Sequence, residues 1–490
     1  MKKRLICALL ILVLVASCLT VLTACKKDKV IMLWGPEEQR EVWLKYANQF
    51  KEANADAFKG YVFDYAGSGD AGAYANMSVD PTKGAAIYSF ANDQMANLAN
   101  LNALSPLAGA DLEWSQTNNI AAAVEATKMG DKYMAYPLQA DNGFFMFYNK
   151  QYFVGTSVWD ATKDDLKEGY TMRDLYAALE ENSAYAGDKT KIMWPANDSW
   201  YISGIFFGVG GDYEVTYDAH GKQQSASCNF AYTLPEGVTD YNQGDFTVGY
   251  AAVQAIKNTY TNVDGTINAH FLYPGNTGYN DLVSYYTDPN GEFKDTPMVA
   301  TINGTWKASE LKDRWGDNYR ATVLPMVEDD AGNKYAWKTF AGYKHLGVNP
   351  LCEFVADNPS NIEILHKLAQ YLSSKEIQVE RYNGWNAGPS NKEALEDDAV
   401  KADVALKALN AQYDRVCVYP ASHALAGQSV GNGLGFRVQD SVPANYWTPI
   451  QNFGANLYVE YEAGKLDAFS AGKLKRTLAT LQYDIEAAAQ

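Results

Sequence analysis

The stretch that most constrains this chain is Tyr136-Pro137-Leu138-Gln139-Ala140-Asp141-Asn142-Gly143-Phe144-Phe145-Met146-Phe147-Tyr148-Asn149-Lys150. Its second half is a dense aromatic run, the pattern of a strand buried on both faces. Its middle carries Asp141, Asn142 and Gly143, where a chain bends and presents a carboxylate and an amide. Two readings stand at this level. One is a first crossing between two lobes, with Asp141 facing the cleft. The other is a core strand broken by an ordinary turn.

The chain begins Met1-Lys2-Lys3-Arg4 and continues with an apolar run from Leu5 to Leu22, a basic-then-apolar secretory signal. The run is long enough that an uncleaved membrane anchor is the alternative. Leu22-Thr23-Ala24-Cys25 resembles the bacterial lipobox, which implies lipid on Cys25 after removal of residues 1–24 and a short tether over 25–29. Cys18, in Val15-Ala16-Ser17-Cys18, is the second candidate. Loss of Lys2, Lys3 and Arg4 takes the formal charge from −17 to −20. So acidic a surface argues against nucleic acid or anionic lipid as a partner and leaves the lipid as the membrane link. Of the six cysteines, only Cys228, Cys352 and Cys417 lie beyond Cys25. An odd number so far apart is no disulfide framework, and these are expected to be small buried residues. The remaining length calls for at least two domains.

Along the chain, strands and helices alternate. Val30–Trp34, Tyr61–Tyr65 and Ala85–Phe90 read as buried strands, and Glu37–Ala53 as a helix with Val42, Trp43, Tyr46 and Phe50 on one face. Such alternation predicts an α/β lobe with a mostly parallel sheet flanked by helices, its ligand beyond the carboxyl ends of the strands. Trp34, Phe90, Asn92 and Asp93 fall at those ends. A second series follows 136–150. It comprises a Thr171–Asp174 capping box, a strand at Ile192–Trp194 leading into Asp198, Trp200 and Tyr201, and a hairpin with a long loop between Asp212 and Asp245. Further strands are expected at Val299–Thr305, ending in a Gly turn before Trp306, and at Ala321–Pro325. Asp329–Asn333 is a hairpin turn, Thr339–Val348 crosses back, Ser360 caps a strong helix, and the part after about Val400 is helical.

Gly67-Ser68-Gly69-Asp70-Ala71-Gly72 matches GxGxxG but follows the second strand rather than the first, so it is read as a Gly-rich turn. The five His are scattered without metal-ligand spacing. Neither a nucleophile-elbow serine nor an HExxH zinc site is expected, and no metal or cofactor is called for. A secreted glycoside hydrolase, its carboxylates drawn from Asp93, Asp141 and Asp198, is the competing class. A binding protein for a non-sugar solute is the third.

Taken in order, Trp34, Phe90-Ala91-Asn92-Asp93, Tyr136-Pro137 through Asn149-Lys150, Ile302-Asn303-Gly304-Thr305-Trp306, Val323-Leu324-Pro325 and Tyr446-Trp447 resemble the solute-binding lipoproteins of sugar ABC importers, the maltodextrin-binding branch in particular. The resemblance covers nearly the whole mature chain. It implies a two-lobed periplasmic-binding-protein-like fold of the class II type, with an N-terminal lobe of 30–139 plus 342–396 and a C-terminal lobe of 145–341 plus 400–490. It implies no enzyme activity, a monomer facing outside the cell, an oligosaccharide ligand and a membrane permease with its ATPase as partners. It further implies that Asp93 and Asp141, with Asn92 and Asn142 beside them, serve sugar hydroxyls. Trp306, Trp447 and Trp200 or Tyr201 would lie against pyranose faces, with Asp198, Trp34 and Phe90 nearby. The sequence departs from that pattern in carrying Phe90 where maltose binders often have Trp, and Gln94 where they often have Arg. It also has one extra residue near Asp141-Asn142-Gly143, and its Tyr-rich segment from Asp212 to Tyr279 is long.

Overall fold

The computed structural model describes residues 28–217, 223–275, 277–439, 442–443, 445–462 and 471–487. The signal, Cys18 and Cys25 lie outside the described residues. In chain order the elements that matter below are β1 (Lys29–Gly35), α1 (Arg40–Ala53), β2 (Tyr61–Gly67), β3 (Ile87–Ala91), β4 (Tyr136–Asn142), β5 (Phe145–Asn149), α2 (Met172–Glu180), β6 (Lys191–Met193) and α3 (Ser199–Gly208). Then come the hairpin β7 (Tyr213–Tyr217) and β8 (Gln223–Cys228), β9 (Phe271–Leu272), β10 (Met298–Asn303), β11 (Tyr319–Thr322) and β12 (Thr339–Val348). The described chain closes with α4 (Asn361–Leu372), α5 (Lys375–Trp385), α6 (Val404–Tyr413), β13 (Phe436–Val438), α7 (Trp447–Glu462) and α8 (Ala471–Glu486).

Two sheets organise these elements. The first runs β2-β1-β3-β12-β13 with β4 also on β12, and the second runs β9-β6-β10-β5-β11. Strands supplied by local β–helix–β order are parallel: β1 to β2 and β3, and β6 to β9 and β10. Of the strands that arrive from the other sheet, β12 is antiparallel to β3 and β4, and β5 to β10 and β11, whereas β13, which follows α6, is parallel to β12. Each sheet is therefore mixed rather than mostly parallel. A strand entering from another lobe has no crossover helix to impose the parallel direction.

The 136–150 stretch divides as the lobe reading expects. β4 pairs with β12 in the first sheet, whereas β5, after only Gly143 and Phe144, pairs with β10 and β11 in the second. The bend is closed locally by the Gly143 N–H donating to the Asp141 carbonyl at 2.8 Å, an i→i+2 turn. Glycine is required there because a Cβ would stand 2.7 Å from the Tyr413 hydroxyl and 2.8 Å from the Phe340 carbonyl. A second passage is made inside β12, whose Thr339–Ala341 pair with β13 while Lys344–Val348 pair with β3. The third follows α5, whose buried Arg381 is tied to the first lobe, and leads to α6, which lies on β11 and β5.

The packing follows the sequence periodicity. In β1, Ile31 and Leu33 are buried on one face, and Val42, Trp43 and Ala47 of α1 cover them together with Leu365, Leu368 and Leu372 of α4. The second core is larger and more aromatic, with Phe144, Trp194, Phe206, Phe230, Trp337 and Tyr446 all fully enclosed. The Thr171 capping box is formed, with the Thr171 N–H donating to Asp174 at 2.8 Å and the Asp174 N–H to the Thr171 hydroxyl at 3.2 Å. Ser360 makes no side-chain cap on α4, because its backbone is already helical (φ −68°, ψ −14°) rather than extended as a capping residue requires. Cys228, Cys352 and Cys417 are free and buried, as expected. The Gly67–Gly72 turn grips Asp70, which accepts from the Ser89 hydroxyl at 2.5 Å and pairs with Lys344 at 3.2 Å, so protein groups occupy it.

Candidate functional site

The ends of β3 and β10, the first turn of α3 and the first turn of α7 converge where the two sheets meet. Asp198 caps α3 by accepting the Trp200 N–H at 2.8 Å, which presents Trp200 at the helix start. The Trp200 ring lies 5.8 Å from Trp306, parallel to Phe340 at 6.3 Å, and edge-on to Phe144 at 4.9 Å. Trp447, at the start of α7, sits 5.8 Å from the same Phe340. Trp306 is 39% exposed, unusual for so large an apolar group beside a core. Its ring folds back over Gly304, in space that a Cβ at 304 would share, so a larger residue there would have to move the ring. Trp200, Trp306 and Trp447 thus belong to one half-open aromatic cluster, and Tyr201 is buried beneath it, 4.7 Å from Phe144.

A polar node joins this cluster to the first sheet. Gln439, just past β13, is buried, and its side-chain oxygen accepts from Asn142 Nδ2 at 2.9 Å and from Trp200 Nε1 at 3.3 Å. Its backbone carbonyl accepts from Asn92 Nδ2, and Asn92 Oδ1 accepts the Tyr343 N–H at 3.2 Å. Asn92 and Asn142 are therefore engaged by protein groups. Nothing in local sequence marked Gln439 or Phe340, whose roles depend on β13 and β12 meeting.

The carboxylates differ. Asp141 is 1% exposed and accepts from Gln139 Nε2 at 2.5 Å, the Thr305 hydroxyl at 2.7 Å and the Gly388 N–H at 2.7 Å. The expected cleft-facing carboxylate is thus filled by protein donors in this conformation. Asp93 keeps partial exposure and has no cation or side-chain donor among the described residues, while its crowded setting pushes its pKa up to about 6 by desolvation. Desolvation also raises Asp198, against the helix N–H groups that favour its charge. Gln94, which stands where a cation was noted as usual, is committed elsewhere: it accepts the Tyr74 N–H at 2.9 Å and donates to the Asp70 carbonyl at 2.6 Å.

Phe90 is held in the core, and Trp34 is partly so. Phe90 is fully buried against Tyr88 at 5.8 Å and His345 at 5.6 Å, because every residue of β3 is enclosed between its neighbours and the covering helices. Trp34 is half-buried, edge-on to Tyr88 at 6.4 Å, and packs on that same core. A cavity of about 1080 Å³ opens nearby, lined by Asn92, Met95, Met129, Tyr343, Phe436 and Val438 among others. It includes no Trp and shares only Asn92 with the expected set, so the aromatic cluster with its carboxylates is the better candidate on chemistry.

Gly427-Gln428-Ser429-Val430-Gly431 is a GxSxG match, contrary to the expectation that the chain holds none. It lies on an antiparallel hairpin rather than a strand-to-helix elbow, and Ser429 bonds to no histidine among the described residues, so the match lacks the context that would make it catalytic. Among the described residues no group of His, Cys, Asp and Glu is placed to hold a metal ion, and no helix is long and apolar enough to cross a membrane.

The chain's fold is that of maltodextrin-binding proteins. The maltodextrin binding protein MalE1 from L. casei, solved without ligand, is 18% identical with a TM-score of 0.63, the match covering 94% of this chain and 99% of that one. The Thermus thermophilus maltotriose binding protein, solved with maltotriose, is 16% identical with a TM-score of 0.61, covering 94% and 100%. The GacH receptor of Streptomyces glaucescens, solved unliganded and with acarbose, is 16% identical with a TM-score of 0.62, covering 94% and 99%. A search of curated protein sequences finds no match. The family model described as bacterial extracellular solute-binding protein matches residues 45–408, and the chain belongs to that family.

Proposed function

We propose that the protein captures an oligosaccharide of the maltodextrin kind between its lobes and delivers it to an ABC importer. The observation that carries this reading is the half-open cluster of Trp200, Trp306 and Trp447 at the junction of the two sheets, with the Asp198 carboxyl capping the helix that presents Trp200. Sugars present C–H groups on their faces and hydroxyls around their edges. Aromatic rings match the first and carboxylates the second. Closure of the lobes then sequesters the ligand, and the closed form docks on a permease driven by a cytoplasmic ATPase. Lipid on Cys25 holds the monomeric protein at the outer face of the membrane, with residues 30–139 plus 342–396 forming one lobe and 145–341 plus 400–490 the other.

Calorimetry with malto-, xylo- and fructo-oligosaccharides tests the reading. Binding of a malto-oligosaccharide tighter than millimolar supports it, and no binding across the panel refutes it. Product analysis after long incubation separates capture from hydrolysis. Bond cleavage abolished by Asp93→Asn would move the protein to the enzyme class.

A further inference from the structure

We propose that Asp141 is a positioning residue, a clasp that fixes the Trp306 turn to the first crossing and favours the closed arrangement, rather than a contact to sugar. Three segments meet on its carboxylate. Gln139 lies on the same strand, Gly388 follows α5 in the third crossing, and Thr305 stands between β10 and Trp306. Three donors nearly fill the acceptor capacity of a carboxylate, and at 1% exposure no further partner reaches it. Gly388 is built for this approach, since a Cβ there would stand 2.6 Å from the Asp141 Cβ. Its carbonyl also accepts the Ala140 N–H at 2.9 Å.

The charge on Asp141 is met at one remove. Arg381, 1% exposed, donates to Gln139 Oε1 at 3.0 Å, to the Leu138 carbonyl at 3.2 Å and to Gln39 Oε1 at 2.9 Å. Gln139 therefore relays between a buried guanidinium and a buried carboxylate, holding both on the first-lobe side. Thr305 is the member of the clasp that belongs to the second sheet. Swinging the lobes apart parts Thr305 from Asp141 and leaves Gln139 and Gly388 in place. On this proposal the bond to Thr305, the residue before Trp306, adds to closure and orients the ring that the sugar meets.

The inference rests on the capture reading only for its binding readout. Thr305→Val removes the hydroxyl without touching the carboxylate, and Thr305→Ser restores it. Thr305→Val and Asp141→Asn are each expected to weaken malto-oligosaccharide binding about tenfold, with the double variant no weaker than the worse single and Thr305→Ser close to wild type. Small-angle X-ray scattering of the ligand-free Thr305→Val protein is expected to give a larger radius than wild type. If Thr305→Val changes neither binding nor radius, or if the two effects multiply in the double variant, the clasp is refuted and Asp141 reverts to a ligand contact. If no oligosaccharide binds the wild type, the capture reading fails and the scattering comparison alone decides the clasp: an unchanged radius refutes it.

Discussion

Asp141 and Asp93 are both expected to serve sugar hydroxyls, yet the structure treats them oppositely. Asp141 is enclosed and met by three protein donors; Asp93 is crowded, partly exposed and unmet by any side-chain donor among the described residues. A buried polar group that the protein satisfies is scaffold, and one that it leaves unsatisfied costs stability unless something else arrives to pair with it. The contrast separates the part of the junction that holds the lobes from the part that is free to hold a ligand.

The largest expected effect attacks the scaffold side. Asp141→Ala leaves Thr305 and the Gly388 N–H without an acceptor and removes one of the two carboxylates, with Asp70, that Arg381 faces, and should cost about 3 kcal/mol or more in chemical denaturation. Asp93→Ala measured beside it should cost nothing, and equal losses would erase the distinction. Gly388→Ala is next, at about 2 kcal/mol of overpacking against Asp141 in the same assay. On the ligand side, Trp306→Ala should weaken malto-oligosaccharide binding more than tenfold in calorimetry, roughly 1.4 kcal/mol or more, while the melting temperature stays within about 2 °C of wild type.

The smallest effects come from pH. The carboxyl of Asp93 is raised from its ordinary value to about 6, so the native state holds its proton more tightly than the unfolded chain. Its contribution to stability is full below the unfolded value near 4 and is lost as pH rises through 6. Asp93→Asn should accordingly stabilise the ligand-free protein at pH 7.5 by about 2 kcal/mol, relative to its effect at pH 4. If sugar hydroxyls donate to the ionised form, affinity should fall about tenfold between pH 7.5 and pH 5, and Asp93→Asn should flatten that profile. A flat profile in the wild type would remove Asp93 from the ligand.

Several parts of this arrangement are legible residue by residue. The strand at Val30–Trp34, the amphipathic helix with Val42 and Trp43, the Thr171 capping box and the Gly304 turn before Trp306 each depend on neighbours within a few positions, where periodicity and turn chemistry act. The crossing at Asp141-Asn142-Gly143 is legible for the same reason: an aromatic strand interrupted by turn residues has few other uses. Less legible were the direction of the crossing strands and the use of each polar side chain. Phe90 looked like a strand-end contact, but β3 is enclosed along its whole length. Gln439 carried no local signal, although Asn92, Asn142 and Trp200 all meet on it.

By itself, then, the sequence determined two α/β series joined by a bend at Gly143 and a Trp set free by Gly304, because local sterics and hydrophobic periodicity are written in adjacent residues. Only the tertiary structure decided which polar groups were left over for a ligand. A carboxylate's role depends on whether donors from distant segments reach it. For Asp141, Thr305 lies 164 positions away and Gly388 lies 247 away; Asp93 meets no such donor among the described residues.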